Sequence, residues 1–221
     1  MDILEAITAR HSVRSYTDRE IEGELLEQLQ KTIDECNVNG ALHIQLCLNE
    51  PQSFSGFMAK YGNFQKVKNY VAIVGKKGDR FEEKAGYYGE TVVLKAQQLG
   101  LNTCWVGATY RKSKTAATIN AGEKLLLVIA IGFGETNGVS HKTKPVEALC
   151  SVNGTMPDWF RKGVEAARLA PTAMNQQKFR FELNENTVKA VAGSGFYTKL
   201  DLGIAKYHFE IGAGKKGWTW G

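Results

Sequence analysis

The chain has 221 residues, 43% of them hydrophobic, and a formal net charge of +5, which suits one or two compact domains and excludes a globally disordered polymer. Lysines and arginines are interleaved with acidic residues and form no basic stripe, which excludes an evident nucleic-acid surface, and no apolar run approaches the ~18 residues that span a bilayer. The start, MDILEAITARHSVRSY, carries Asp2 and Glu5 and no unbroken apolar segment, so no secretory signal is read; the four cysteines lack C-x-x-C or metal-ligand spacing, and a reduced, cytoplasmic setting is expected.

Residues 2–10 predict a short amphipathic helix, with Ile3, Leu4 and Ile7 on one face, that ends in Arg10-His11-Ser12-Val13-Arg14. Asp18 to Glu35 follows as a second helix, with Ile21, Leu25, Leu26, Leu29 and Ile33 at three-and-four spacing and Asn37 to Gly40 as its stop. His43–Leu48 alternates as a strand, 51–66 is a Gly/Ser/Phe-rich loop, and YVAIVG (70–75) is a buried strand. A helix over 87–99 closed by Gly100, a short buried segment 101–107 and the central strand 125–134 complete a first cycle. A second cycle places a helix at 158–169, a break at Ala170-Pro171, a strand at 178–183 and a helix at 200–212.

The two cycles resemble each other. Gly89 and Gly100 bracket the first long helix as Gly203 and Gly214 bracket the last, both pairs offset by 114, and a Trp follows each pair, Trp105 and Trp218. Leu-Asn-Glu ends the strands at 48–50 and 183–185. A degenerate internal duplication is the expectation, with repeats over 1–150 and 151–221.

Candidate chemistry gathers in four places. Arg10, Ser12 and Arg14 put two guanidiniums and a hydroxyl just past a helix end, forked and neutral donors suited to phosphate. His141-Lys142-Thr143-Lys144-Pro145 is a second cationic patch, and the two together can neutralise a phosphomonoester dianion. Pro171-Thr172-Ala173-Met174-Asn175-Gln176-Gln177 breaks a helix and offers side-chain amides, each with a donor and an acceptor, to a planar amide ligand such as a flavin pyrimidine. Cys104 to Ala108 ends a buried segment at Gly107, where backbone can approach a ligand closely. His43 and His208 read as structural imidazoles. No Ser/His/Asp, H-E-x-x-H, P-loop or G-x-G-x-x-G pattern is present, so hydrolase, kinase and Rossmann chemistry lack support.

In order, RHSVRSY (10–16), GYYGETVVLKAQQLGLNTCWVG (86–107), IAIGFGE (129–135), HKTKPVE (141–147), AARLAPTAMNQQKFRFEL (166–183) and LDLGIAKYHFEIGA (200–213) resemble the FMN-dependent nitroreductase family over most of the chain. Their order departs from the ordinary one, since the proline-asparagine stretch lies in the second half. The chain therefore looks like a single-chain branch in which two truncated repeats stand where two subunits of a homodimer would. The resemblance implies an α+β fold, with an antiparallel-rich mixed sheet and packed helices, and one complete FMN site.

Carried over by residue, Arg10 and Ser12 would meet the FMN phosphate and ribityl end, joined at the phosphate by Lys142 and Lys144, with His11 between them also in the cofactor-binding set. Arg14 would face the N1/O2 side of the flavin, where a cation raises the reduction potential. Val106, Gly107 and Ala108 would lie beside N5, Pro171, Thr172, Ala173 and Asn175 over the ring, and Asn63 and Lys66 at the pyrimidine edge. The implied activity passes hydride from NAD(P)H through FMN to a nitroaromatic, quinone or similar small acceptor. A flavin carrier or sensor without turnover, a specialised flavin fragmentation or dehalogenation, and a flavin-free phosphate-binding domain are the alternatives. The internal pair makes a monomer feasible; an exposed Trp218-Thr219-Trp220 tail would instead favour a homodimer.

Overall fold

The computed structural model describes residues 1–78 and 80–221. Asp2 starts α1 (Ile3–Ala9) through a reciprocal capping box: its Oδ1 accepts the Glu5 N–H at 2.8 Å and Glu5 Oε2 accepts the Asp2 N–H at 2.9 Å. At Arg10 the chain turns extended, and Val13 N–H donates to Thr103 O at 3.0 Å, which lays the polar segment 10–14 along the edge of a strand of the first sheet.

Helix α2 spans Gly23–Gly40, five residues later than predicted at both ends. Asn37, expected to stop it, stays helical because its side chain is committed to a tertiary contact, accepting the Ile44 N–H at 2.6 Å and donating to Ile44 O at 2.9 Å. The helix ends instead at Ala41, which takes the left-handed φ of 50°. Strand β1 (Gln45–Cys47), a short helix α3 (Phe57–Tyr61) inside the expected loop, and β2 (Asn69–Lys76) follow. Helix α4 (Phe81–Gln98) starts six residues before the predicted Tyr87, on the helix-forming run Glu-Glu-Lys-Ala. Strands β3 (Asn102–Val106) and β4 (Glu123–Gly132) complete an antiparallel sheet in the order β1-β2-β4-β3.

The second half begins with α5 (Val146–Leu149) and β5 (Cys150–Val152), continues through α6 (Asp158–Ala167), β6 (Phe179–Asn184) and β7 (Thr187–Ala192), and ends in α7 (Thr198–Ala213) and β8 (Thr219–Trp220). Its sheet runs β5-β6-β7-β8, antiparallel at the centre and parallel at both flanks. The expected α+β class is realised as two four-stranded sheets rather than one. Strands β5 and β8, three and two residues long, are too short to show a period, and β7, the second strand of a hairpin that turns at Glu185-Asn186, is likewise not among the expected elements. Trp218 and Trp220 are not a free tail: Trp218 stacks on Trp159 at 5.8 Å, and Trp220 Nε1 donates to Glu210 Oε1 at 2.7 Å.

Helices α4 and α7 join the halves at a contact closer than side chains permit. A Cβ on Gly86 would collide with the Leu200 carbonyl and lie 3.0 Å from Ile204 N; one on Gly203 would collide with the Glu83 carbonyl and lie 2.8 Å from Tyr87 N. These contacts are reciprocal, and each matched pair (86 with 203, 83 with 200, 87 with 204) differs by 117. Gly100 and Gly217, both at positive φ, keep the same spacing. The two helices thus pack at a spacing of 117, about one turn from the sequence offset of 114, and Gly89 serves a different purpose, leaving room for the Trp105 ring. Gly203→Ala must push two backbones apart, and overpacking of this kind costs ~3 kcal/mol or more, lowering the melting temperature by roughly 6–12 °C. A thermal melt within 2 °C of wild type would contradict the packing described (about the size of a 1 kcal/mol change).

Candidate functional site

A cavity of about 590 Å³ opens where the two halves meet, within the range typical of small-molecule and cofactor sites. One wall is the segment after α1, with Arg10, His11, Ser12 and Arg14; it is held in place by its pairing to β3. The end of β3 supplies Cys104, Trp105, Gly107 and Ala108, and the loop after β4 brings Ser140 and His141. Pro171, Thr172, Ala173, Met174 and Asn175 close the opposite side, with Tyr197, Leu200 and Asp201 at the start of α7.

Arg10 is the most constrained of these groups. It is 3% exposed, its Nε has no hydrogen-bond partner, and its nearest anion, Glu90 Oε1, stands 3.9 Å away. Burial pulls its pKa down, against the raising influence of Glu90. A buried guanidinium without a bonded partner is costly. An anion entering the cavity would relieve it. Desolvation, with the Arg10 charge second, also pulls His11 below its ordinary range, and His141 is lowered by burial, so both favour the neutral imidazole.

The loop after α6 owes its shape to Asp201 and Gln177. Asp201 accepts the Ala173 N–H at 3.0 Å and a Gln176 Nε2 hydrogen at 2.7 Å. Buried Gln177 donates to Lys142 O at 2.9 Å and accepts the Lys144 N–H at 2.9 Å, clamping this loop to the segment after β4. Met174, Asn175 and Gln177 hold positive φ of 51°, 52° and 44°, a backbone that the clamp over-determines. The glutamine amides, which the sequence offered to a ligand, are thus spent inside the protein. Tyr197 OH donates to Gly107 O at 3.2 Å and its ring covers Gly107, so the second half reaches over the end of β3.

Ten expected residues therefore converge on the cavity: Arg10, His11, Ser12, Arg14, Gly107, Ala108, Pro171, Thr172, Ala173 and Asn175. Five do not line it. Val106 is buried in the core of the first sheet, and the exposed Lys142 contributes its carbonyl to Asn175 and Gln177. Lys144 Nζ is tied to the carbonyls of Gln176 and Gln177 at 3.0 and 2.9 Å. Lys66 pairs with Glu135 at 3.0 Å. Asn63 sits in the same neighbouring loop, which touches the site through Gln65 N–H donating to Arg14 O at 2.9 Å. Asp201 and Tyr197 were missed as site residues; Asp201 lies in the LDLGIA motif, which could have marked it, while nothing in the sequence marks Tyr197.

Fold and site together define an α+β protein with a shared cavity, cationic at one end and walled by backbone and small side chains at the other. The family model described as "Putative TM nitroreductase" matches residues 2–213, and the chain belongs to that nitroreductase family, a group of oxidoreductases. It is similar in fold to a nitroreductase of Thermotoga maritima, at 22% identity over 96% of this chain and 83% of that one, with a TM-score of 0.65. A nitroreductase from Desulfovibrio desulfuricans, solved in complex with FMN, matches at 19% identity over 71% of this chain and 99% of its own, TM-score 0.53. A nitroreductase family protein of Streptococcus pneumoniae matches at 12% identity over 66% and 98%, also at 0.53. No curated protein matches the chain.

Burial pushes Asp201 up to about 6 from its ordinary 3.8, against the two hydrogen bonds that favour its charged form. The folded state thus holds this proton more tightly than the unfolded chain. Its contribution to stability is full below about pH 4 and is lost as pH rises through about 6, an effect of roughly 3 kcal/mol. Asp201→Asn should flatten the fall in melting temperature between these two pH values. An unchanged slope in the variant would place the buried proton elsewhere.

Proposed function

We propose that the cavity binds FMN and that the protein is an FMN-dependent oxidoreductase, drawing on NAD(P)H and reducing a nitroaromatic, quinone or similar small acceptor. The observation that carries the reading is Arg10: buried at 3%, lacking a bonded partner at Nε, and facing a cavity assembled from both halves of the chain. The family match and the FMN complex of the Desulfovibrio desulfuricans protein support the same cofactor.

Arg10 and Ser12 would hold the phosphate end by charge-assisted and neutral hydrogen bonds. With Lys144 bound to backbone carbonyls, the phosphate charge falls chiefly to Arg10. Arg14 would lie along the ring and favour negative charge there, while Gly107 and Ala108 bring backbone close because Gly107 carries no side chain. Pro171, Thr172, Ala173 and Asn175 would cover the opposite side, fixed by Asp201 and the Gln177 clamp. When bound, FMN supplies two-electron chemistry between a nicotinamide and the acceptor; the chain holds it, orients it and leaves room for small molecules.

We further propose that residues 1–150 and 151–221 are two truncated repeats packed as the two subunits of a family dimer would be. The reciprocal contacts at a spacing of 117 support this, and so does the cavity built from both halves. Such a chain needs no second copy to complete its site and would act as a monomer in the cytoplasm.

Purified protein mixed with FMN should show flavin bands shifted from those of free FMN and should bleach on anaerobic addition of NADH or NADPH. Arg14→Ala should slow the bleaching by at least about tenfold, the effect of losing ~1.4 kcal/mol of stabilisation of charge on the ring. Bound flavin that resists both nicotinamides would favour a carrier or sensor, and absence of FMN binding would refute the cofactor assignment.

A further inference from the structure

The edge of the first sheet is open where the matching edge of the second is covered. Strands β1 and β6 run into the shared Leu-Asn-Glu, pair antiparallel with β2 and β7, and each follows a helix, α2 or α6. On its other side β6 takes β5 in parallel, with Cys150 opposite Phe181 and Val152 opposite Leu183. The chain leading into β5 packs there too: Val146, Leu149 and Cys150 are buried, and Glu147 Oε1 meets Arg161 of α6 at 4.0 Å. At the Leu-Asn-Glu offset of 135, Phe181 and Leu183 correspond to Leu46 and Leu48. Among the described residues no strand lies beside these two, since β1 is the outermost strand of its sheet.

Backbone geometry identifies the free groups. His43 N–H donates to Val74 O at 2.9 Å, and bonded pairs alternate in an antiparallel ladder, so residues 43, 45 and 47 face β2 while 44, 46 and 48 turn outward. The second half alternates likewise: Gly193 N–H donates to Lys178 O at 2.8 Å, which turns Phe181 and Leu183 toward β5, and Asn153 N–H donates to Leu183 O at 3.4 Å. In the first half Asn37 satisfies only Ile44, its side-chain amide standing in for one residue of a neighbouring strand. Beyond it Leu46 and Leu48 border a groove of about 650 Å³ between β1 and α2, with Leu26 on the helix side. Three carboxylates, Glu27, Asp34 and Glu35, rim this groove with a single cation, Lys31.

We propose that the open edge of β1 docks an extended, basic peptide segment of another protein, which adds as a parallel strand along Leu46 and Leu48 as β5 adds along Phe181 and Leu183. The pairing inside the chain supplies the geometry, and the acidic rim supplies the sign of the charge. Strand addition of this kind takes affinity from main-chain hydrogen bonds and preference from pockets for alternate side chains. The guest positions that match Cys150 and Val152 carry apolar side chains, and the flanks carry lysine or arginine. A second copy of this chain is a poor guest, because its groove repeats the acidic charge and its segment 146–152 carries Glu147 and is already engaged with β6. None of the groove residues lines the cavity shared by the two halves, so docking here is separate from cofactor binding.

The probe is the capped peptide Lys-Lys-Val-Ser-Val-Lys-Lys, titrated into the isotope-labelled full chain and followed by amide NMR and hydrogen exchange. Shifts confined to residues 26–35 and 44–50 are expected, with exchange of the Leu46 and Leu48 amides slowed by at least about tenfold at saturation. Replacing the central Ser by Pro removes the middle N–H, and replacing the lysines by Glu reverses the charge; either peptide should bind at least about tenfold more weakly. Glu27→Lys combined with Glu35→Lys, both exposed on α2, should weaken the lysine peptide to a similar degree. No binding at millimolar peptide, equal binding of the Pro peptide, or shifts spread over other surfaces overturns the proposal. So does protection of the Leu46 and Leu48 amides that rises with protein concentration in the absence of peptide, since a second copy would then be the guest.

Discussion

The structure turns on the backbone contact between α4 and α7. Two glycines, Gly86 and Gly203, let each helix press against a carbonyl of the other, and no other residue type could occupy either position without separating them. This approach brings Glu90 within reach of His208 and sets Glu83 against Lys206 and Tyr87 against Glu210, so three polar pairs link the two helices. It also fixes where the start of α7 falls. Tyr197, Leu200 and Asp201 thereby enter the cavity opposite the segment that follows α1.

From that contact the site is assembled by short-range constraints. The segment 10–14 is positioned by β3, the loop 171–177 by Asp201 and Gln177, and the end of β3 by Tyr197. Each device joins a residue of one segment to backbone of another, and left-handed residues such as Met174 and Asn175 persist because several bonds hold them. The result is a cavity with hydrogen-bonded walls and a buried cation at one end. That is the arrangement expected of a site whose ligand carries its own chemistry and asks the protein for orientation and charge.

Much of this was legible in the sequence, for identifiable reasons. The strands at 70–75 and 125–134 are continuous apolar runs, and α2 and α4 have clear periodicity, so their existence followed directly even where their ends moved. Motifs made of neighbouring residues, such as Arg10 to Arg14 and Pro171 to Asn175, fell into the cavity together. Lys144 illustrates what did not follow: a cation suited to phosphate by composition was already satisfied by two carbonyls, which only tertiary geometry reveals. Gln176 and Gln177 were diverted in the same way. Glycines recur along both helices, so the offset of 114 in the sequence did not mark the contact, and the reciprocal approach involves Gly86, not Gly89, with Gly203.

If both halves of one chain together build one flavin site, ligands and chains must match one to one. Native mass spectrometry of the FMN-saturated protein tests it most directly, by counting ligands and chains in the same particle. One FMN is expected for each chain, including in the monomeric species. Two FMN per chain, or FMN retained only by particles containing two chains, would contradict it.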